Sequence, residues 1–376
     1  MARTKSSAGR IEVSSIVDIL NKEAGMKIAG KLSDQDYSDV KEWISTSSTW
    51  LNGITCRGQT AGIPVGRITE IAGKEGSGKS YMAAQIAANA NKAGMTVIYF
   101  DSESSIDSSF LEKAGCDDST ITVPTVDVET TLSSIEKTIA SGAERVVFIW
   151  DSLANTPATA ELEGTFNPTE TIGLKARILG KGFSKLTNSL CRSQCTLVIL
   201  NQLKTNITRD PADAMINPFI TPGGKALDYN ASMRIFLTAR KSKKSFFYDE
   251  NGFQAGIEVK AKLKKSRFGT EGRECTFKIL WGDEIKILDD ESIFEAILGS
   301  ERIKGSGAWY TLIMSDGTEK KFQKKQWPDL MSSDDKFRAN AMKIFDEEVI
   351  LKFEQKEGSA KQFYDVDSAI PEPTSE

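Results

Sequence analysis

Eight consecutive residues, Gly73-Lys74-Glu75-Gly76-Ser77-Gly78-Lys79-Ser80, follow the order G-x-x-x-x-G-K-S. Glycines at this spacing let a backbone wrap a phosphate without Cβ clashes. Successive N–H groups and a helix N-terminus then face the anion. In such a loop Lys79 reaches the β- and γ-phosphates of a nucleotide, and the Ser80 hydroxyl ligates Mg²⁺. The chemistry needs a strand before the loop and a helix after it. Arg67–Ala72 reads as the strand, and the Ala-rich run Tyr81–Ala90, with Gly94 beyond it, as the helix.

Three more apolar runs end in polar residues: Val97–Phe100 at Asp101, Val146–Trp150 at Asp151 and Leu197–Leu200 at Asn201. Asp151 fits the carboxylate that holds Mg²⁺ directly or through water. Glu103 lies just past the first run and suits a base that polarises an attacking water, with a solvated surface carboxylate as the alternative. Gln202 can exchange hydrogen bonds with a γ-phosphate. It also begins a long loop, so a nucleotide-dependent shift would pull on that loop. The stretch Lys260–Arg267 holds five cations; in a strand, Lys260, Lys262 and Lys264 share one face, and Lys265 and Arg267 the other. Two readings stay open: a solvated edge strand guarded by lysines, or cations presented to another subunit's phosphate.

The elements that must position these residues fill positions 46–283. Apolar strands alternate there with helical stretches at Phe110–Ala114, Thr130–Ala140 and Leu174–Leu190. Such alternation predicts an α/β fold with a mainly parallel sheet covered on both faces, and ligands beyond the carboxyl ends of its strands. Two segments, 155–172 and 203–224, carry Pro and Gly without clear periodicity and read as functional loops. Residues 1–45 read as helical, with one apolar stripe at Ile16, Val17, Ile19 and Leu20 and a second at Val40, Trp43 and Ile44. Too short for its own core, this segment must dock on the main domain or on a neighbouring chain. Residues 284–353 form a small mixed C-terminal domain, with an amphipathic helix near Ala339–Lys352. Residues 354–376, ending in the acidic, Pro-containing Tyr364–Glu376, read as a disordered tail.

Bulk composition narrows the classes further. The 376 residues carry a net charge of −4 and no histidine, which excludes His-based proton transfer and any global basic field for nucleic acid. A polyanion site must therefore be a local patch. Cys191 and Cys195 lack a second cysteine pair or a histidine to complete a zinc site, and the five cysteines read as thiols in a reducing compartment. Met1–Lys5 starts no signal-like run, and no 18-residue apolar stretch occurs. A cytosolic protein without a membrane partner is expected.

With these residues in hand, the chain resembles a RecA-family recombinase from about Ile44 to Tyr310. Ile44–Thr46 with Gly62–Ile68 resembles the family's lead-in to its phosphate loop. Phe100–Glu103 resembles the segment with the catalytic glutamate, Asp151-Ser152 the Mg²⁺-binding strand end, and Asn201-Gln202 the γ-phosphate sensor. Asp107 and Phe110 sit where bacterial members place an Asp and a Tyr against adenine. Thr221–Leu227 resembles the Gly-Gly stretch that closes the second DNA loop, and Gly307–Tyr310 recurs in the bacterial C-terminal domain.

The resemblance implies a RecA-like core with an N-terminal oligomerisation segment. It implies an ATP- and Mg²⁺-dependent helical filament on single-stranded DNA that pairs homologous strands in DNA repair. Homologous duplex DNA and further copies of the chain are the implied partners, with single-strand-binding and loader proteins as additional candidates. The setting is the nucleoid of a bacterial or phage-infected cell. The two unpatterned segments become DNA loops, with Arg177, Ser184, Lys204, Arg209, Gly223, Gly224 and Lys225 as contacts. Lys265 and Arg267 fall where bacterial members place two lysines that reach ATP across the subunit interface. The chain departs from the family pattern in a longer second loop, in Phe110 without a hydroxyl, and in Lys225 in place of a neutral amide. Two rivals share some of these features: a hexameric helicase on the same core, and a non-hydrolysing module that coats DNA or regulates a recombinase. The full set Lys79, Ser80, Glu103, Asp151 and Gln202 argues against the second.

Overall fold

The computed structural model describes residues 12–25, 29–31, 39–164, 173–207, 212, 215, 218–240 and 245–351. The chain divides into two units, 1–41 and 42–376. In the first unit a helix spans Val13–Ala24 and ends at Gly25, which takes the left-handed conformation at φ 64°. None of its residues is buried; Ile16, Ile19 and Leu20 are exposed.

In the second unit, strand β1 (Trp43–Ile44) pairs antiparallel with β2 (Ile63–Pro64). This corrects the reading of Trp43 and Ile44 as a helical stripe. Neighbouring apolar residues in so short a piece fit either period, and the ladder to Ile63 decides it. The main sheet then begins with β3 (Ile68–Gly73), β4 (Thr96–Asp101), β5 (Thr120–Pro124), β6 (Val146–Asp151) and β7 (Thr196–Gln202). Two-residue strands β8 (Lys204–Thr205) and β9 (Phe219–Ile220) pair with each other within the second unpatterned segment. A helix at Thr159–Glu163 likewise gives part of the first segment structure that its sequence did not reveal. The sheet continues with β10 (Met233–Ala239), β11 (Phe246–Tyr248), β12 (Gln254–Ser266), β13 (Glu274–Leu280) and β14 (Lys286–Ile287).

Along the sheet the order is β14-β13-β12-β10-β3-β7-β6-β4-β5, with β11 beside β12. From β10 to β5 all pairs are parallel; from β10 to β14 they are antiparallel. The central parallel strands β3, β7 and β6 are buried along almost their whole length, because helices cover both faces. On one face the Lys79–Lys92 helix packs Met82, Ala83, Ile86, Ala87 and Ala90 against Ile71, Tyr99 and Val198. Its alanines let the helix lie close to the sheet. On the other face Leu132 and Ile135 of the Val128–Ala140 helix join Leu179, Phe183, Leu186 and Leu190 of the Leu174–Ser193 helix over Phe148, Trp150 and Ile199.

The basic strand β12 is interior to this sheet, between β10 and β13, so the edge-strand reading of its lysines fails. Lys262 and Lys264 are exposed while Ala261 and Leu263 are buried. Alternation therefore marks a solvated face rather than an edge. Beyond β14, a second core gathers the Asp289–Ile297 helix, strands β15 (Ile303–Ser306), β16 (Trp309–Ile313) and β17 (Glu319–Gln323), and helices Trp327–Ser333 and Asp335–Phe345. The last of these, with the wider turns Asp346–Ile350 after it, is the helix expected near Ala339–Lys352.

Candidate functional site

Every strand that feeds the site ends at one rim of the parallel sheet. Asp101 and Asp151 are register partners at the ends of β4 and β6, and Gly73 and Gln202 at the ends of β3 and β7. Along this rim Gln202 therefore lies between Gly73, where the phosphate loop begins, and the acidic pair.

Sterics explain why this loop demands glycine at its ends. A Cβ at Gly73 would collide with Ser77 Oγ and sit 2.9 Å from the Leu237 carbonyl oxygen. Gly78 has φ 83°, and a Cβ there would meet Ile279 at 2.5 Å. With Gly78 as its N-cap, the 14-residue helix Lys79–Lys92 directs its first N–H groups at the loop. The Lys79 ammonium spans the loop, donating to the carbonyls of Gly73 at 3.1 Å and Lys74 at 3.0 Å. Burial lowers its pKa, against the opposing pull of Asp151, Glu103 and Glu75. Such a cation, poorly hydrated and ringed by peptide groups, is suited to phosphate oxygens. Lys74, Glu75 and Gly76 stand exposed at the loop's tip.

Asp151 is buried, which raises its pKa; hydrogen bonds from Ser80 and from Tyr99 work in the opposite direction. The Tyr99 hydroxyl donates to Asp151 Oδ2 at 2.9 Å. A hydroxyl and a carboxylate held together beside a phosphate loop are a hard-oxygen donor set that fits Mg²⁺. Asp101, in contrast, is consumed by its own turn, accepting from the N–H groups of Glu103 and Ile106 at 2.9 and 3.0 Å. That turn projects Glu103 from the sheet rim. Ser152 Oγ and Asn155 Nδ2 both donate to Glu103 Oε1, at 2.9 and 2.6 Å.

At the end of β7, Leu203 N–H donates to the Gly73 carbonyl at 3.2 Å, so the residue after Gln202 is tied to the loop's first glycine. Asn201 is buried and donates to Glu70 at 2.8 Å and to the Pro222 carbonyl at 3.0 Å. Arg234 is also buried and pairs with Glu70 and Asp228, and reaches Thr221 Oγ1 at 2.9 Å. One largely buried network thus joins β7 to the Thr221–Gly224 segment. Sequence reading missed Glu70, Asp228 and Arg234; their only local signal was a charge inside an apolar strand at 70 and at 234.

Asp107 and Phe110 lie on the helix Ser108–Ala114. Asp107 is its N-cap, accepting from the Phe110 N–H at 2.7 Å. Phe110 lies 5.5 Å from the ring of Tyr81, which stacks at 5.0 Å on Trp281. Tyr81 follows Ser80 directly, so this aromatic row borders the loop. Neither Tyr81 nor Trp281 stood out in the sequence.

Of the expected DNA contacts, Arg177 and Ser184 are exposed and two helical turns apart on the Leu174–Ser193 helix, hence on one face. Gly223 and Gly224 have φ 100° and 64° and lie against this helix and the turn after β6: a Cβ on Gly223 would meet Leu179 and Leu153, and one on Gly224 Ala176. Lys204 and Lys225 are exposed. Arg209 lies outside the described residues, as does the Tyr364–Glu376 tail. Lys74 sits 4.7 Å over the Phe219 ring, a direct link between phosphate loop and second segment. Lys265 and Arg267 turn away from the loop of their own chain. Lys265 donates to the Asp228 carbonyl at 2.5 Å, and Arg267 to the Tyr229 carbonyl at 2.8 Å, at the end of the short helix Ala226–Asn230. Among the described residues, no helix is long and apolar enough to cross a membrane.

Comparison with known proteins gives one consistent result. The family model described as the RecA N-terminal domain matches residues 11–286. Protein RecA of Bifidobacterium breve is 32% identical over 294 residues, covering 78% of this chain and 70% of that protein. Protein RecA of Clostridium novyi (strain NT) is 32% identical over the same share of this chain and 79% of its own. Protein RecA of Sulfurimonas denitrificans is 31% identical, covering 78% and 80%.

Proposed function

Because this chain belongs to the RecA family, we propose that it is a recombination protein that hydrolyses ATP when bound to DNA, assembles as a filament on single strands and pairs them with homologous duplex. The observation that carries this reading is the convergence of Lys79, Ser80, Asp151, Glu103 and Gln202 on one sheet rim, with Asn201 of the same strand bonded to Pro222, next to the glycines of the second loop.

In this reading the phosphate-loop N–H groups and Lys79 bind and orient the triphosphate of ATP. Ser80 and Asp151 would hold Mg²⁺, which neutralises phosphate charge when bound. Glu103 takes the proton of a water whose oxygen bonds to the γ-phosphorus. The bond from that phosphorus to the β,γ-bridging oxygen breaks, leaving ADP and phosphate. Gln202 reads the γ-phosphate, and Leu203 and Asn201 carry its position to the second loop. Exposed cations at Arg177, Lys204 and Lys225, with backbone N–H groups at Gly223 and Gly224, suit phosphates of any sequence. Lys265 and Arg267 serve a neighbouring subunit's ATP, and the exposed Val13–Ala24 stripe docks on a neighbouring copy.

ATP turnover with and without single-stranded DNA tests the reading. Stimulation by DNA is expected, and Glu103→Gln should keep ATP bound while lowering turnover by about 100-fold or more. Turnover by Glu103→Gln at the wild-type rate would remove the base assignment.

A further inference from the structure

Glu103 is held by two donors of different kinds. Ser152 is buried beside Asp151 on the rigid end of β6, whereas Asn155 is exposed three residues further on. Both donate to the same oxygen, Oε1, and so fill its lone pairs and hold the carboxylate in one orientation at the rim. The turn that carries Asn155 is itself fastened from elsewhere. Lys175 donates to the carbonyls of Leu153 at 2.7 Å, Ala154 at 3.3 Å and Thr156 at 2.5 Å. Burial lowers the Lys175 pKa, with Lys204 adding in the same direction and Glu161 opposing. Three carbonyls around one half-buried ammonium fix the turn to the first turn of the Leu174–Ser193 helix. Arg177, an exposed candidate DNA contact, is two residues along that helix.

We infer that Asn155 is a latch on Glu103, coupled through the Lys175 clip to the helix that carries Arg177, and that DNA engagement of this helix withdraws the latch. Asn155 is a positioning residue: it acts by restraining the base. When DNA shifts the helix start, Lys175 carries the Ser152–Thr156 turn with it, and the Asn155 amide leaves Oε1. Glu103 keeps its Ser152 bond but is no longer pinned from two sides, so its carboxylate can turn toward the water whose proton it takes. Such a device makes hydrolysis depend on DNA by restraining the base in its absence. This inference rests on the proposed DNA-dependent ATPase and specifies its regulation.

The test compares ATP turnover by the full-length wild type, Asn155→Ala and Asn155→Gln, each with and without saturating oligo-dT. Binding of labelled oligo-dT is followed in the same preparations by fluorescence anisotropy. Asn155→Ala should raise the DNA-free kcat by about tenfold or more, the order expected for losing one hydrogen bond to a charged group. Its KM for ATP, its DNA-saturated kcat and its oligo-dT affinity should match wild type. Asn155→Gln keeps an amide donor and should restore most of the DNA dependence. The double variant Asn155→Ala with Glu103→Gln should show no DNA-free gain, since the latch acts only through Glu103. An unchanged DNA-free rate in Asn155→Ala, or a parallel fall of both rates, overturns the latch while leaving the ATPase reading in place. A wild-type protein that binds oligo-dT poorly or gains no turnover from it overturns the DNA reading itself, and the latch with it.

Discussion

Gln202 stands directly beside Gly73, its register partner across adjacent parallel strands. The sensor therefore moves with the first glycine of the phosphate loop, and the chain enters the second loop at the next residue. Gln202→Ala should leave ATP binding within about twofold while removing the gain in DNA affinity that a non-hydrolysable ATP analogue gives the wild type. That gain should be about tenfold or more, within the usual range for coupled sites. Anisotropy titrations of labelled single strands, with and without the analogue, measure it. An intact gain in the variant would mean that another residue reads the nucleotide.

The Glu70–Arg234 pair is buried in the middle of the sheet, and Asn201 depends on it. Removing one partner strands the other charge, a loss of about 3–5 kcal/mol. Arg234→Met should lower the urea midpoint accordingly, and Glu70→Gln with Arg234→Met should recover much of the loss. The double variant should still lose part of the analogue-dependent DNA affinity, because the route from Asn201 through Arg234 to Thr221 is cut while the direct Asn201–Pro222 bond remains. Recovery of both stability and coupling would reduce the network to a packing role.

Asp151 is held with its pKa raised by burial. A carboxyl whose folded pKa lies above its unfolded value favours folding in acid, and that contribution is lost as pH rises through the folded pKa. At neutral pH the ionised Asp151 therefore weighs against the nucleotide-free fold. Asp151→Asn should abolish turnover yet melt at the same temperature as wild type or higher at pH 7. The difference should shrink as the pH is lowered toward the ordinary carboxylate range. Thermal melts of both proteins across pH check the sign, and a variant that is less stable at pH 7 contradicts it.

Much of this site was legible in sequence because its parts are contiguous. The phosphate loop, Asp151 and Asn201-Gln202 each follow an apolar run, and a run of that kind fixes which end of the sheet its last residue occupies. The α/β class was legible for the same reason. Asn155, Lys175, Glu70 and Arg234 were not, because each acquires its role from a partner far along the chain. Trp43 and Ile44 read as helix until Ile63 and Pro64 supplied a strand partner. The lysines of β12 suggested an edge because alternation reports exposure of one face and says nothing about neighbours within the sheet.

Lys265 and Arg267 end on carbonyls at the close of the Ala226–Asn230 helix, away from their own phosphate loop. A Lys265→Ala, Arg267→Ala protein should bind ATP normally and lose DNA-stimulated turnover by about 100-fold or more. Mixed with Lys79→Ala protein, it should regain part of that turnover, as some interfaces then join an intact loop to intact cations. Absence of recovery despite proven co-assembly would place these cations in a role within their own subunit.

Strand exchange tests the central claim most directly. The protein is assembled with ATP and Mg²⁺ on a labelled single strand, then given a duplex that is either homologous or unrelated. Transfer of the homologous strand alone is expected, dependent on ATP binding and abolished by Lys79→Ala. Equal action on both duplexes, or unwinding of forked DNA without pairing, would contradict a recombinase and point to a helicase on the same core.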